Sequence, residues 1–517
     1  MSLTTLSDVK LPLGKSENEL LRIAEKKLGK RAKHFKILKK SLDARDKNNI
    51  KYVYTIEFST EEQVTPVQEQ ALLPKHKLPQ KPVLVVGSGP AGLFCAITLI
   101  ERGITPILIE RGAPVEEREK AVNAFFQTRV LDRETNVQFG EGGAGTFSDG
   151  KLNTQTHTPQ NRKVLETFVR FGAPEEILFL QKPHIGSDKL KTVVKNMRRY
   201  ILERVGQVLF HTRLQDICVK DGALQSVRLL SNGNEETIDV SALVLAVGHS
   251  ARDTFEMLLA RGVTISRKDF AVGVRVEHLQ KNIGYAQYGK AYTALPAADY
   301  KLVAHTSERS AFTFCMCPGG YVMPASSEEG GVVTNGMSNY ARDGVNANAA
   351  LIVQVRSEEF LGNSPLAGID FQREIERAAF REGGGNYSAP VQLIGDFLRD
   401  KESAGFGEVV PTYAAGTRFA SLRAVLPSGI VSSLKEAIVI MDKKLHGFAC
   451  DDAVLTAAET RTSSPVRIER EATSLQSVSV QNLYPCGEGA GYAGGITSSA
   501  ADGIRVAEAV YNQFLQG

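Results

Sequence analysis

Six residues that follow a short apolar run have the spacing that most clearly suggests a function, the binding of a phosphate group. Pro82 to Val86 predicts a buried strand. The six residues after it are Gly87-Ser88-Gly89-Pro90-Ala91-Gly92. In such a turn the first glycine permits the change of direction, the second lets the backbone approach a pyrophosphate, and the third lets the next helix pack closely. The segment therefore predicts a phosphate-binding turn at the start of a helix.

Two residues at the end of the next predicted strand support a dinucleotide ligand. The strand Pro106 to Ile109 is followed by Glu110 and Arg111. An acidic residue about 20 positions after the glycine turn is typical of proteins that bind the ribose hydroxyls of a dinucleotide. We therefore expect Glu110 and Arg111 to line the same site. The alternative is a glycine-rich turn that holds no ligand.

A second glycine-rich segment near the C-terminus favours FAD over NAD. A predicted strand ends in Gly487-Glu488, and Gly494-Gly495-Ile496 then precedes a helix of small residues. This arrangement resembles the C-terminal flavin motif of FAD-dependent oxidoreductases. The resemblance implies that Glu488, where most members carry Asp, contacts the ribityl chain. It also implies that the helix points its N-terminus toward the isoalloxazine, where it would stabilise negative charge.

Two further strands resemble elements of the same superfamily. Ala242 to Gly248 is similar to the apolar strand that returns near FAD, which implies contacts at Ala246 and Gly248. Val208 to Ile217 is similar to the strand whose backbone touches adenine, here near Leu214. The order of all these elements along the chain is the order that FAD proteins use.

A loop from Gln138 to Leu152 is the most distinctive stretch, because its many glycines imply special dihedral angles or close approach to a ligand. We expect it to contact the flavin; the alternative is a flexible surface loop. The predicted contacts are Gly142, Gly143, Ala144, Gly145 and Thr146.

Together with Arg461 to Val466, Cys315 to Gly320 and Lys40 to Arg45, this loop resembles a bacterial family of uncharacterised FAD-dependent dehydrogenases, also described as NAD(P)/FAD-dependent oxidoreductases. The resemblance extends over nearly the whole chain and leaves the reaction open.

The predicted fold class is α/β, with a discontinuous Rossmann-like FAD-binding domain, an inserted β-rich α+β substrate domain and a small α+β N-terminal domain. Short apolar runs alternate with helical patterns after residue 82, whereas the region after Asp269 has strand-like pieces and few long helices before Ser432 to Leu445. The expected boundaries are 1–60 for the basic N-terminal domain, 61–81 for a proline-containing linker, 82–268 and 462–517 for the FAD-binding domain, and 269–461 for the substrate or cap domain.

Catalytic residues are not identified by any motif, and the candidates are Cys315, Cys317, Arg461 and Lys151. A Cys-x-Cys pair on one strand would place both thiols on one face near the flavin, although small buried cysteines are the alternative. Arg461 would either clamp an anionic substrate or pair with an internal acid.

Several weaker candidates follow from position alone. Asp149 accompanies Lys151 in the glycine-rich loop, and His249 follows the Ala-x-Gly turn. Cys486 abuts the flavin motif, where packing is the alternative.

Composition excludes several classes of protein. The six cysteines do not form a disulfide framework, the nine histidines lack metal-ligand spacing, and no apolar stretch is long enough to cross a membrane. We therefore expect a cytoplasmic protein with reduced thiols and no metal. No second Gly-x-Gly-x-x-Gly follows a strand in the middle of the chain, so NAD(P)H is a candidate only as a diffusible reductant. The oligomeric state is open.

The leading functional hypothesis is an FAD-dependent oxidoreductase that moves a hydride between flavin and a small-molecule substrate. The first 80 residues hold sixteen Lys/Arg and ten Asp/Glu, although the whole chain has a net charge of only +4. This asymmetry motivates an alternative, a flavin-dependent RNA-modifying enzyme that binds nucleic acid. A third hypothesis is a redox-responsive flavoprotein without turnover. The basic residues on which the RNA hypothesis rests are Lys26, Lys27, Lys30, Arg31, Lys33, Lys36, Lys39 and Lys40.

Overall fold

A computed structural model gives the structure and describes residues 3–62, 79–154, 158–204 and 206–516, so most of the predicted linker lies outside the described residues. The N-terminal segment forms a three-stranded antiparallel sheet in the order β1-β3-β2. Tyr54, Ile56 and Phe58 alternate along β3 and pack with Leu20 and Ala24 of the helix. The elements are β1 (Thr4–Pro12), α1 (Asn18–Leu28), β2 (His34–Asp43) and β3 (Lys51–Ser59).

Residues 83–260 contain both strands and helices, and five strands follow one another directly between residues 207 and 245. The predicted single strand from Val208 to Ile217 is wrong, because His211, at φ 52°, turns the chain between two strands. The elements are β4 (Val83–Val86), α2 (Pro90–Glu101), β5 (Pro106–Ile109), α3 (Val115–Thr128), α4 (Pro159–Arg170), α5 (Ser187–Glu203), β6 (Gln207–Leu209), β7 (Thr212–Lys220), β8 (Ala223–Ser231), β9 (Asn234–Asp239), β10 (Ala242–Leu245) and α6 (Arg252–Ala260).

The rest of the chain is richer in strands. The expectation of few long helices before Ser432 overlooked α8, a helix of 16 residues. The elements are β11 (Ile265–Arg267), β12 (Phe270–Leu279), α7 (Gln280–Tyr288), β13 (Val303–His305), β14 (Ser310–Cys317), β15 (Tyr321–Pro324), β16 (Thr334–Met337), β17 (Asn346–Val355), α8 (Ala367–Glu382), β18 (Ala389–Leu393), α9 (Ile394–Leu398), β19 (Thr417–Phe419), α10 (Ser428–Asp442), β20 (Val454–Glu459), β21 (Val466–Ile468), β22 (Leu483–Pro485) and α11 (Ile496–Gln516).

A five-stranded parallel sheet combines strands from residues 83–245 with β22 near the C-terminus, in the order β22-β10-β4-β5-β6. All four residues of β4 are buried, as a sheet covered on both faces requires. Val83 and Val85 belong to the apolar cluster that includes α2 and α11, whereas Leu84 and Val86 belong to the cluster on the opposite face. The C-terminal strand is therefore part of the sheet that carries the glycine turn.

A seven-stranded sheet forms the second large body, in the order β13-β14-β17-β12-β20-β18-β19. Its neighbouring strands are antiparallel except for the pair β18 and β19. Smaller sheets are β7-β8-β9, β11-β21 and β15-β16. Among the described residues, no helix combines the length and apolarity needed to span a membrane.

Candidate functional site

The glycine turn after β4 is shaped by backbone contacts that leave no space for side chains. A Cβ at Gly87, where φ is +100°, would lie 2.3 Å from the carbonyl oxygen of Ala246. A Cβ at Gly92 would lie 1.8 Å from the carbonyl oxygen of Gly87. The N–H of Leu93 donates to the carbonyl of Gly89 at 3.0 Å, so the earlier amides of α2 have no helical acceptor. They are available to an anion at this helix N-terminus.

One cavity extends from this turn to the seven-stranded sheet. It is lined by the ends of β4, β5 and β10, the glycine-rich loop, the start of α11, and residues of β14, β16 and β20. The predicted cofactor contacts that line it are Gly87, Gly89, Pro90, Ala91, Glu110, Arg111, Gly143, Ala144, Gly145, Leu214, Ala246, Gly248, Glu488, Gly494, Gly495 and Ile496.

Five predicted contacts lie behind the cavity wall and support it, namely Ser88, Gly92, Gly142, Thr146 and Gly487. A Cβ at Gly487 would lie 2.8 Å from the Cβ of the cavity-lining Ala91. A Cβ at Gly142 would lie 2.0 Å from the Oγ1 of Thr146. Gly142 and Gly487 therefore leave room for neighbouring side chains, and contacts of these five residues with FAD stay a prediction.

Glu110 holds the turn and the loop together. Its Oε2 accepts hydrogen bonds from the backbone N–H of Ser88 at 2.9 Å and from the Ser88 hydroxyl at 2.8 Å. Its Oε1 accepts from the N–H groups of Gly112 and Gly140, each at 3.0 Å. A carboxylate has about four acceptor sites, so the protein itself occupies them. The ribose contact stays a prediction, and the structure adds a positioning role.

A buried arginine that we did not predict organises the glycine-rich loop. Arg118 of α3 is fully buried, and burial lowers its pKa to about 10. Its position three residues after Val115 and four before Val122 places it on the buried face of α3, which was the signal in the sequence. Its guanidinium donates at 2.6–3.1 Å to the carbonyl oxygens of Asn136, Val137, Gly140, Glu141 and Gly143.

The part of the cavity wall formed by C-terminal residues contains one carboxylate, Glu488, and two glycines, Gly494 and Gly495. Among the described residues, no donor reaches the Glu488 carboxylate, and burial raises its pKa to about 7. A Cβ at Gly494 or Gly495 would meet no atom within 4 Å, so the space beside them belongs to the cavity. The helix α11 begins at Ile496 and directs its free amides toward this end.

Arg461 lines the cavity, but its guanidinium forms an ion pair with an internal acid. Its Nε and Nη2 donate to the two carboxylate oxygens of Glu376 at 3.0 and 2.9 Å, and its Nη1 donates to Ser327. Glu376 also accepts two bonds from Arg252. Of the two roles predicted for Arg461, the structure shows the internal pair.

The Cys-x-Cys pair does not place two thiols on one face. Pairing between β14 and β17 shifts register between Phe314 and Cys317, and Cys315 has a φ of +42°. Cys315 lines the cavity, whereas Cys317 is buried and its Sγ donates to the Cys315 carbonyl at 3.2 Å. Cys486 is buried and borders the cavity. All six cysteines are free thiols.

His249 lines the cavity with a defined tautomer. Gln138 donates from Nε2 to the Ala325 carbonyl at 3.3 Å, so its Oε1 faces Ser250 and accepts the hydroxyl at 3.1 Å. Ser250 must then accept from the Nδ1–H of His249 at 3.1 Å. Burial, assisted by Arg461, lowers the imidazole pKa to about 3. The Nε2 atom is therefore an unprotonated hydrogen-bond acceptor.

The basic N-terminal segment does not border the cavity. Lys40 donates to Glu17 at 2.6 Å and lies 4.9 Å from the centroid of the Tyr52 ring. The other seven basic residues of the segment are exposed. Nucleic-acid binding stays a prediction.

Family comparisons agree with this arrangement. A family described as FAD-dependent protein, C-terminal domain-like, matches residues 269–462; an FAD binding domain matches 80–131, and a domain of unknown function matches 4–59. An uncharacterized protein of Clostridium beijerinckii is 47% identical over 520 residues, which cover 96% of each chain. The chain belongs to a bacterial family of FAD-dependent oxidoreductases.

Two more distant similarities are to enzymes of named activity. Tetracenomycin B2 monooxygenase-dioxygenase of Streptomyces olivaceus is 24% identical over 250 residues, which cover 43% of this flavoprotein and 40% of that enzyme. The solved structure of the flavin-dependent halogenase CmlS is 13% identical, with a TM-score of 0.38, over 85% of this chain and 58% of the halogenase. Similarity at this level carries no inference about the reaction.

FAD is the cofactor of this flavoprotein, and the cavity fits it. The free amides of α2 suit a diphosphate, the carboxylate of Glu488 is open to a hydroxyl donor, and the space beside Gly494 and Gly495 is unfilled by protein. Within the described ranges, no group of three or more His, Cys, Asp and Glu side chains is placed to hold a metal ion.

Proposed function

We propose that this flavoprotein is a dehydrogenase that transfers a hydride between FAD and a small organic substrate. When bound, FAD supplies the two-electron redox chemistry. The protein binds the substrate at what we call the inner end of the cavity, the part lined by Lys151 and by residues 314–315, 335, 459 and 461.

The observation that carries this proposal is the continuity of the cavity. The same space that begins at the amides of α2 ends against polar side chains of two other sheets, Glu459 from the seven-stranded sheet and Asn335 from the two-stranded sheet β15-β16. A site at the junction of two bodies, with a few converging polar groups, is typical of a small-molecule site. We also propose that the chain divides at the domain boundaries predicted from the sequence, and that FAD contacts the individual residues predicted to bind it.

Anaerobic reduction of the bound flavin tests the proposal directly. The FAD-loaded protein is mixed with NADH, NADPH and a panel of hydroxy acids, amines and unsaturated acids, and flavin bleaching is followed by absorbance. We expect a metabolite to bleach the flavin within the turnover range of ordinary enzymes, about 1–1000 per second. Reduction by NADPH or NADH alone would favour a reductase, and failure of every compound while dithionite still bleaches the flavin would contradict the proposal.

A variant localises the substrate. Asn335→Leu changes a side chain of the cavity wall that comes from β16, so we expect slower reduction with unchanged flavin content. Asn234→Leu, on the exposed strand β9, is the matched control and should reduce at the normal rate. Equal rates in both variants would place the substrate elsewhere.

A further inference from the structure

The ammonium of Lys151 has no hydrogen-bond acceptor among the described residues. Its Nζ is shielded from solvent, and no hydrogen bond to it exists within the part of the chain that the structure describes. It forms an ion pair at 3.4 Å with Oδ2 of Asp149. The side chain of Lys151 belongs to the cavity wall. A buried ammonium with three unused donors is costly, and a ligand that accepts from it removes that cost.

Asp149 does not neutralise this cluster, because it serves a second cation. Nε of Arg342 donates to Oδ1 of Asp149 at 3.0 Å, and its Nη2 donates to Oδ2. Two cations therefore share one carboxylate. His184 adds no charge at neutral pH, because burial and the neighbouring Arg342 hold its imidazole pKa below the usual range. The cluster keeps one positive charge in excess.

The other charges at the inner end are compensated within the protein. Arg275 pairs with Glu459 at 2.6 Å. Arg461 and Arg252 share Glu376, with Arg461 at 2.9 Å. Glu328 also pairs with Arg252, so this network has a second carboxylate. Arg461, which the sequence suggested as the anion clamp, has all its donor nitrogens engaged. Among the residues that the structure describes, the uncompensated charge of the inner end therefore belongs to Lys151.

The backbone holds this lysine in place while its stem stays adjustable. The N–H of Leu152 donates to the Pro183 carbonyl at 3.0 Å, and the N–H of Ile185 donates to the Gly150 carbonyl at 3.1 Å. Lys151 lies between these two bonds. A lysine ammonium on a flexible four-carbon stem can turn toward a ligand without moving this backbone.

We propose that Lys151 anchors the carboxylate of a small organic acid at the inner end of the cavity, as the substrate of the reaction proposed above. A single excess charge matches a carboxylate better than a phosphate, which carries more negative charge. The carboxylate is bound and not transformed, so the reacting carbon is elsewhere in the substrate. That the bound acid is the substrate rests on the proposed function. The carboxylate-binding site itself can be tested without turnover.

The test is a titration of the FAD-loaded protein with acetate, propionate and benzoate, followed by the change in flavin absorbance. Acetamide, propionamide and benzamide have nearly the same shape without the charge. We expect saturable changes with at least one acid and none with its amide. Lys151→Met should weaken binding of that acid about tenfold or more, because a charged hydrogen bond is lost, and Lys151→Arg should retain part of it. Lys163→Met, whose lysine pairs with Glu101 on the surface, should bind like the unmodified protein.

Three results would overturn the proposal: no acid binds, the amides bind as well as the acids, or Lys151→Met binds acids normally. In the last case, a lowered flavin reduction potential in Lys151→Met would show that the ammonium serves the flavin. Carboxylate binding in a protein that no metabolite reduces would leave this site standing and refute the hydride transfer. Flavin content and thermal unfolding of both Lys151 variants show whether they fold.

Discussion

The two ends of the cavity are built in different ways. At the phosphate end, the turn from Gly87 to Gly92 is one continuous segment whose residue types dictate its geometry. At the inner end, Lys151, Asn335 and Glu459 come from three distant parts of the chain. A short motif can specify a backbone shape because its own residue types set its dihedral angles, even where a distant residue such as Ala246 packs against it. A set of charges gathered by packing depends on every element that carries them.

The largest expected effect is at the phosphate end. Gly92→Ala would place a Cβ 1.8 Å from the backbone carbonyl oxygen of Gly87, where nothing can yield without moving the helix. We expect a loss of stability of at least about 3 kcal/mol and loss of bound FAD. Gly405→Ala is the control, since its Cβ meets no atom within 4 Å and the position is exposed. Thermal unfolding and flavin absorbance are the measurements. Normal flavin content in Gly92→Ala would show that the turn is not closely packed.

The next effect is at the inner end, where one carboxylate serves two buried arginines. Glu376→Gln removes the carboxylate that Arg252 and Arg461 share. It leaves them only Glu328, which Arg373 also engages. We expect the free energy of unfolding to fall by about 3–5 kcal/mol, because breaking a buried pair leaves buried charge. Glu374→Gln, exposed on the same helix, should stay within about 0.5 kcal/mol of the unmodified protein. Denaturant unfolding measures both, and equal stabilities would show that the network is solvated.

A smaller, pH-dependent effect comes from Glu488, which also lines the cavity. Burial raises its pKa in the folded protein from 4.5 to about 7. Its contribution to stability is therefore present below about pH 4.5 and is lost as the pH rises through 7. The flavin-free protein should lose about 1–2 kcal/mol relative to Glu488→Gln across this window, reduced from the full value because the carboxylate borders the cavity. Urea unfolding of both proteins at several pH values checks this, and a constant difference would contradict it.

The smallest expected effect concerns the tautomer of His249. Ser250→Ala removes the acceptor of its Nδ1–H, so both tautomers should become populated, with about 1 kcal/mol lost in stability. Nitrogen NMR of labelled histidine, assigned with His249→Phe, distinguishes the two. Ser474→Ala, exposed and holding one backbone hydrogen bond, should leave the spectrum unchanged. A protonated Nε2 in the unmodified protein would refute the hydrogen-bond chain described above.

The sequence predicted local features well where a motif carries its own geometry. The strand, glycine turn and helix around residues 83–101 appear as expected, and FAD is confirmed as the cofactor. It failed where long-range pairing changes local structure. The bulge at Cys315 separates two thiols that strand alternation would have joined, and the turn at His211 divides a predicted strand.

The sequence by itself determined the cofactor class and the α/β character, because glycine spacing and apolar periodicity act over a few residues. Tertiary structure alone decided which charged side chains are paired within the protein and which remain available to a ligand. Arg461 has a partner in Glu376, from a different helix, whereas Lys151 shares Asp149 with Arg342 and keeps its donors. Such pairing depends on distances between segments far apart in the chain, since electrostatic interactions follow separation in space.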